Sequence, residues 1–248
     1  MRKDVKVNYD LRPIWDAILD VWKESYAICN RHNLRVWVTA GTALGAMRHK
    51  GFIPWDDDFD AMMPRKDYNL FMKYAAEELP SYMKWHSIEN DPEHQHLFGK
   101  VQDERLDLLN EIRKRSHVNL EQGVFVDFFP LDGFPSTKLG CLFWQVRRSA
   151  IRRFKLFGGS GVRLQNWLMK KDFDKCQNVG WTLTNLRWPR FIYDKKWFDE
   201  TLLVDFEDIK VPVPIGVDPL LKTIYGNYMK LPPEEARKPS HQIIQSGA

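Results

Sequence analysis

The segment Pro54-Trp-Asp-Asp-Asp-Phe-Asp60 concentrates four carboxylates within five residues. Burying several carboxylates side by side is costly unless cations pair with them. Asp58-Phe-Asp-Ala-Met-Met63 alternates polar and apolar residues, a strand signature. Residues two apart in a strand share a face. Asp58 and Asp60 are therefore expected to point the same way, their Cα atoms roughly 6.5–7 Å apart. Phe59 then faces the core, Asp57 points away and Asp56 sits in the preceding loop. Carboxylates converging from that spacing would share one divalent ion, or two ions about 3.5–4 Å apart. Asp127 offers a third. It interrupts Val124-Phe-Val-Asp-Phe-Phe129, a strand otherwise too apolar to carry a charge without a purpose. If the two strands are neighbours, Asp58, Asp60 and Asp127 meet at one point. Three oxygen ligands with positions left for phosphate and water suit Mg²⁺ or Mn²⁺, with two ions expected. Two plainer readings compete. Asp-rich turns are commonly just solvated. Asp56, Asp58 and Asp60 also fall at positions 1, 3 and 5 of an EF-hand loop, but position 6 is Ala61 instead of Gly, position 12 is Asp67 instead of Glu, and Pro64 interrupts.

Phosphate chemistry has its own candidates. Gly41-Thr42 follows a predicted strand and opens a helix, where backbone N–H groups and the Thr42 hydroxyl would form an anion site. Alone, this equally describes an ordinary strand-to-helix turn, and no Gly-Lys-Ser/Thr follows to make a Walker loop. Its value comes from the Asp pair that arrives one short helix and one loop later. Arg48, His49 and Lys50 lie between the two and would neutralise a diphosphate; solvated charges at a helix end fit the same residues. Lys100 and Arg105 are further cation candidates. His94-Gln-His96 lies in a polar stretch and reads as an exposed turn.

The elements that must position these groups follow from periodicity. Asp10-Leu-Arg-Pro13 opens a helix, with Ile14, Ile18, Trp22 and Tyr26 at helical spacing up to about Arg31. Arg35–Thr39 is predicted as a strand. Lys66–Leu79 is predicted as a helix, Tyr82–Trp85 and Leu97–Val101 as strands, and Val124–Phe129 as a strand stopped by Pro130. Residues 1–135 make the catalytic core in this reading. Residues 136–200 make a Lys/Arg- and aromatic-rich second lobe, helical up to about Arg187, and residues 201–248, punctuated by prolines, pack back on the core. Arg147, Arg148, Arg152 and Arg153 in that lobe would hold an anionic glycan or lipid carrier, or simply form a solvated face.

Composition narrows the class. Hydrophobic residues make up 44%, with ten Trp and fifteen Phe, so a core and an aromatic-lined groove are both affordable. A net charge of +4 is too small to argue for nucleic acid. Cys29, Cys141 and Cys176 are odd in number and far apart, which implies neither a disulfide framework nor a zinc knuckle. Neither an apolar leader nor a membrane-length apolar run is present. The expectation is a cytoplasmic protein, compatible with the inner face of a membrane.

The order Gly-Thr, spacer, Asp-hydrophobic-Asp resembles the core signature of the polymerase-β-like nucleotidyltransferases. More closely, Gly41 through Asp60, Val126-Asp-Phe-Phe-Pro-Leu-Asp-Gly133 and Tyr225-Gly-Asn-Tyr-Met-Lys-Leu-Pro-Pro-Glu-Glu-Ala-Arg237 with His241 resemble the LicD family, to which the fukutin-related proteins are akin. The resemblance implies an α+β nucleotidyltransferase core, a mixed sheet with flanking helices. It implies transfer of a phospho-alcohol, such as phosphocholine or ribitol phosphate, from a CDP-activated donor to a glycan or lipid-linked glycan. It makes Asp58, Asp60 and Asp127 the metal ligands and gives Gly41 and Thr42 the phosphate turn. Two departures stand out: Ala61-Met62-Met63 where a small or Gly-containing stretch is usual, and Asn227 where Asp is usual. A nucleotidyltransferase that passes on the nucleotide itself, and a non-catalytic metal- or glycan-binding protein, are the alternatives.

Overall fold

A computed structural model describes residues 10–91, 94, 96, 98–116, 123–137, 139, 140, 142, 143, 146, 172–181 and 192–238. Arg147, Arg148, Arg152, Arg153, Cys141 and His241 lie outside the described residues. The architecture is α+β, with helices against a mixed sheet.

The chain enters through α1 (Arg12–Arg31), with Pro13 in its first turn, where a missing N–H costs nothing. Its buried stripe, Ile14, Ile18, Val21, Trp22, Ser25 and Ile28, lies on the sheet. Trp22 is the centre of that contact, 4.8 Å from Phe59 and 6.4 Å from Phe128 between ring centroids. Then come β1 (Trp37–Val38), α2 (Ala40–His49), β2 (Asp60–Pro64), α3 (Arg65–Glu78), β3 (Met83–His86), β4 (Gly99–Asp103), α4 (Leu106–Ser116) and β5 (Val124–Phe134). After them follow β6 (Asn178–Gly180), β7 (Ile192–Asp194), the hairpin β8 (Thr201–Phe206) with β9 (Ile209–Pro214), and α5 (Val217–Tyr225).

The main sheet runs β1-β2-β5-β4-β3, with β6 added to β5 and β7 to β6. Among the described residues, only β2 and β5 pair in parallel in it; the other pairings are antiparallel. Their register sets Asp60 opposite Asp127. A buried ion pair pins the two strands further along. Arg65, just past β2, donates from Nε and Nη2 to the two carboxylate oxygens of Asp132 on β5, at 2.9 and 2.6 Å.

Three expectations need correction. Strand β2 begins at Asp60 and not at Asp58. Pro130 does not stop β5, which runs on to Phe134. Pro130 sits where β4 has already left the edge of β5, at Phe128, and β6 has not yet arrived, at Asp132, so a missing donor is tolerated there. The helical reading toward Arg187 fails at Asn178–Gly180, which extends the sheet. Helix α4 and the β8–β9 hairpin were not foreseen.

Candidate active site

Asp60 is placed by its backbone. Its N–H donates to the Thr42 hydroxyl at 2.8 Å, and its carbonyl accepts from the Thr39 N–H at 2.9 Å. Thr39 leads into α2, whose first residue, Ala40, holds the left-handed value φ 45°. This is a conformation that a residue with a Cβ adopts only under constraint. The turn at residues 39–42 therefore fixes the head of β2. One bond further, Asp127 N–H donates to the Phe59 carbonyl at 2.9 Å, which starts the parallel ladder at the two carboxylates.

On the other side, β4 pairs Lys100 with Asp127. Partners in a ladder share a face, so Asp60, Asp127 and Lys100 form a row across three strands. Lys100 is buried and its ammonium lies 3.8 Å from the Phe125 ring centroid.

Asp58 joins from the loop before β2. Asp56, assigned to that loop by sequence, belongs to the same cluster. Burial first, then the charges of Asp58 and Asp57, push the Asp56 carboxyl well above the usual range, and it hydrogen-bonds Asp58. Asp60 is pushed up in the same direction by burial, then by Asp58, Asp127 and Asp56. Asp127 is raised to about 7 by burial, with Lys100 pulling down and Asp58 pushing up. Its Oδ1 is buried without a hydrogen-bond partner among the described residues. Oxygen donors that strain against one another, one of them unsatisfied, are what a hard divalent cation needs. As placed, no three His, Cys, Asp or Glu side chains among the described residues form a ready coordination group. The donor set is all oxygen, the kind that hard divalent cations take.

The phosphate-side candidates separate. Gly41 touches the cluster directly: a Cβ there would stand 2.5 Å from Asp56 Oδ2, so the glycine makes room for that carboxylate. Thr42 is buried and its hydroxyl already holds Asp60. Arg48 lines a cavity of about 540 Å³ together with Gly41, Trp55, Asp56, Tyr225 and Asn227. Its Nη1 donates to the Tyr228 carbonyl at 2.6 Å and its Nε to His49 Nε2 at 2.8 Å. Lys50 is exposed at the far end of α2, near Asp205, and is not among the residues that line that cavity. His94, expected to be exposed, is buried and bonded through Nε2 to the Phe98 carbonyl at 2.7 Å; His96 is exposed. Arg105 is taken up by Asp103.

Sequence reasoning set Asp56 in the loop outside the carboxylate cluster, and named Tyr225 within the C-terminal motif without giving it a role of its own. Tyr225 is 43% exposed overall, yet its hydroxyl is desolvated and feels Asp60, Asp56 and Asp58, which push its pKa up. The aspartate run itself was the available signal for Asp56. Tyr225 had only its place in the C-terminal motif.

The parallel ladder of β2 and β5 thus starts at two facing carboxylates, and Asp56 of the same cluster lines the cavity. Residues 33–132 match the LicD/FKTN/FKRP nucleotidyltransferase domain, a span that contains Gly41, Thr42, Arg48, Lys100 and all four aspartates of the cluster. Over 251 residues the chain is 26% identical to the lipopolysaccharide cholinephosphotransferase LicD of Haemophilus influenzae, covering 90% of this chain and 92% of that protein. Over 51 residues it is 35% identical to uncharacterized proteins of Rickettsia prowazekii and Rickettsia typhi, 21% of this chain and 19% and 16% of theirs. Together these likenesses support a LicD family protein.

Proposed function

We propose that this LicD-like phosphotransferase moves a phospho-alcohol of the phosphocholine class from a CDP-activated donor to a hydroxyl of a glycan or lipid-linked glycan. The observation that carries this reading is the register of Asp60 with Asp127, beside a cavity that holds Arg48 and ends at Asp56. The likeness to a lipopolysaccharide cholinephosphotransferase supplies the substrate class.

In this reading the core is polymerase-β-like, and Asp58, Asp60 and Asp127 hold one or two divalent ions, with Asp56 beside them. When bound, such ions neutralise the diphosphate and the charge that develops on the departing phosphate. The nucleoside half of the donor occupies the cavity lined by Arg48, Trp55, Tyr225 and Asn227. The acceptor hydroxyl attacks the phosphorus distal to the nucleoside. The new P–O bond forms as the bond to the CMP oxygen breaks, and the hydroxyl proton passes to a carboxylate, for which Asp127 is our candidate. The cation-free shift of Asp127 toward 7 comes from burial and like charge, and a bound cation would reverse it.

Product analysis tests the reading. Incubation with CDP-choline, Mg²⁺ or Mn²⁺ and a lipopolysaccharide acceptor should release CMP and leave a phosphodiester on the glycan. Release of pyrophosphate from a nucleoside triphosphate, with the nucleotide on the acceptor, would replace it with the nucleotidyltransferase alternative.

A further inference from the structure

Leu139, Gly140, Leu142, Phe143 and Val146 are helical, in a stretch that begins a few residues past the end of β5. Thr137 opens it: its hydroxyl accepts from the Gly140 N–H at 3.1 Å, the bond of a helix cap. A Cβ on Gly140 would stand 2.9 Å from Pro135 Cβ, so the stretch starts close against the chain that leaves β5. Four of its apolar side chains face water. Leu139 is 63% exposed, Leu142 55%, Phe143 67% and Val146 60%. Their spacing, i, i+3, i+4 and i+7, puts them on one side of a helix. Single exposed apolar residues are ordinary, but a stripe of them marks a contact. The corresponding stripe of α1, from Ile14 to Ile28, is buried.

The surrounding charge points to what covers the stripe. Between Asp132 and Asp172 the chain has nine Lys and Arg and no Asp or Glu. The whole chain has a net charge of only +4, so the remainder is net negative. Arg147 and Arg148 follow Val146 directly in sequence, and Arg152 and Arg153 come soon after.

We propose that this stripe docks the protein on the surface of an anionic lipid bilayer. Leu139, Leu142, Phe143 and Val146 enter the boundary between headgroups and acyl chains, and the basic run meets the headgroups. An apolar stripe joined to a run of cations is the pattern that binds such a boundary. From Leu139 to Val146 a helix rises about 11 Å, far short of the hydrocarbon thickness, so the stripe lies along the surface. A nucleic acid would take the cations but offers no apolar layer for Leu and Phe. A second copy of the chain would cover the stripe but would bring two basic runs together. The net-negative remainder is repelled by the same surface, which favours one orientation of the molecule. Docking of this kind is independent of which donor the site takes.

Vesicle flotation with the intact purified chain tests this. The wild type should bind vesicles of phosphatidylglycerol in phosphatidylcholine roughly tenfold or more tightly than phosphatidylcholine alone, and added salt should release it. Leu142→Ser combined with Phe143→Ser should weaken binding to the anionic vesicles roughly tenfold or more. Arg147→Gln combined with Arg148→Gln should weaken it about tenfold. Melting temperatures within about 2 °C of the wild type certify that the variants fold. Absence of wild-type flotation, or flotation that the Ser pair leaves unchanged, would overturn the proposal. Binding to duplex DNA in place of vesicles would give the basic run to a nucleic acid. A dimer that the Ser pair splits, without flotation, would give the stripe to a second copy.

Discussion

Burial and mutual repulsion both push the Asp56 and Asp60 carboxyls up, which makes the cluster a test of function against stability. Asp60→Asn removes one charge from a buried cluster of like charges. Metal-free protein carrying it should unfold roughly 2–4 °C higher at pH 8, the shift that about 1 kcal/mol produces in a chain of this size. Transfer should be lost, and so should the rise in melting temperature that Mg²⁺ or Mn²⁺ gives the wild type. Thermal scans with and without the ion check all three, and a destabilised metal-free variant would mean that Asp60 has a structural partner instead. Gly41 offers the complementary case. In Gly41→Ala the new Cβ would meet Asp56 Oδ2 at 2.5 Å, and the flexible carboxylate must move. Alanine suits a helix better than glycine, so stability should hold or rise by up to about 1 kcal/mol. Displacing a site carboxylate should nevertheless lower kcat/KM roughly 10- to 100-fold. Unaltered kinetics would remove Asp56 from the working cluster.

Among the elements, the decisive joint is between β2 and β5, because the site exists only if those strands stay in register. The Arg65–Asp132 pair guards it: both side chains are nearly inaccessible, and Asp132 outweighs the burial that would otherwise depress the Arg65 pKa. Leaving one partner charged and alone in that environment should cost about 3–5 kcal/mol. Urea unfolding of Asp132→Asn measures it, and a cost below about 1 kcal/mol would show that the register is held by the ladder alone. The strands themselves were legible in the sequence, since Val124–Phe129 is an apolar run broken by one charge and Asp58–Met63 opens on polar–apolar alternation. Their adjacency was not legible, because pairing between residues 60 and 127 is a tertiary event with no local signature. The start of β2 was misplaced for a related reason: from a distant turn, the Thr42 hydroxyl accepts from the Asp60 N–H and the Thr39 N–H donates to its carbonyl, and these bonds decide where the ladder begins. The β8–β9 hairpin escaped because Pro212 and Pro214 read as breakers, although prolines are tolerated in a two-stranded sheet that has free edges.

For the whole molecule, the question is how the C-terminal segment comes to form part of a site built near residue 60. Among the described residues, several polar contacts tie it to the core. Trp37 Nε1 donates to the Thr201 hydroxyl at 2.8 Å, Phe52 N–H donates to Glu207 Oε1 at 2.9 Å, and Arg48 Nη1 donates to the Tyr228 carbonyl at 2.6 Å. The last is the one at the cavity, where residues 225–233 supply one wall and Arg48, Trp55 and Asp56 the other. Arg48 is partly desolvated there, which lowers its pKa, so its bond to a carbonyl is charge-assisted and has little water to replace it. Arg48→Ala should therefore release the wall as well as remove a cation near the donor. The expected outcome is a KM for CDP-choline raised about tenfold with a smaller change in kcat, because the carboxylates that act on the phosphorus are untouched. Limited proteolysis should at the same time cut faster within residues 226–238, since a segment with fewer buried contacts opens more often. The two readouts separate the two roles. A raised KM with unchanged proteolysis makes Arg48 a donor ligand only, and faster proteolysis with an unchanged KM makes it a brace for a wall that the donor does not touch.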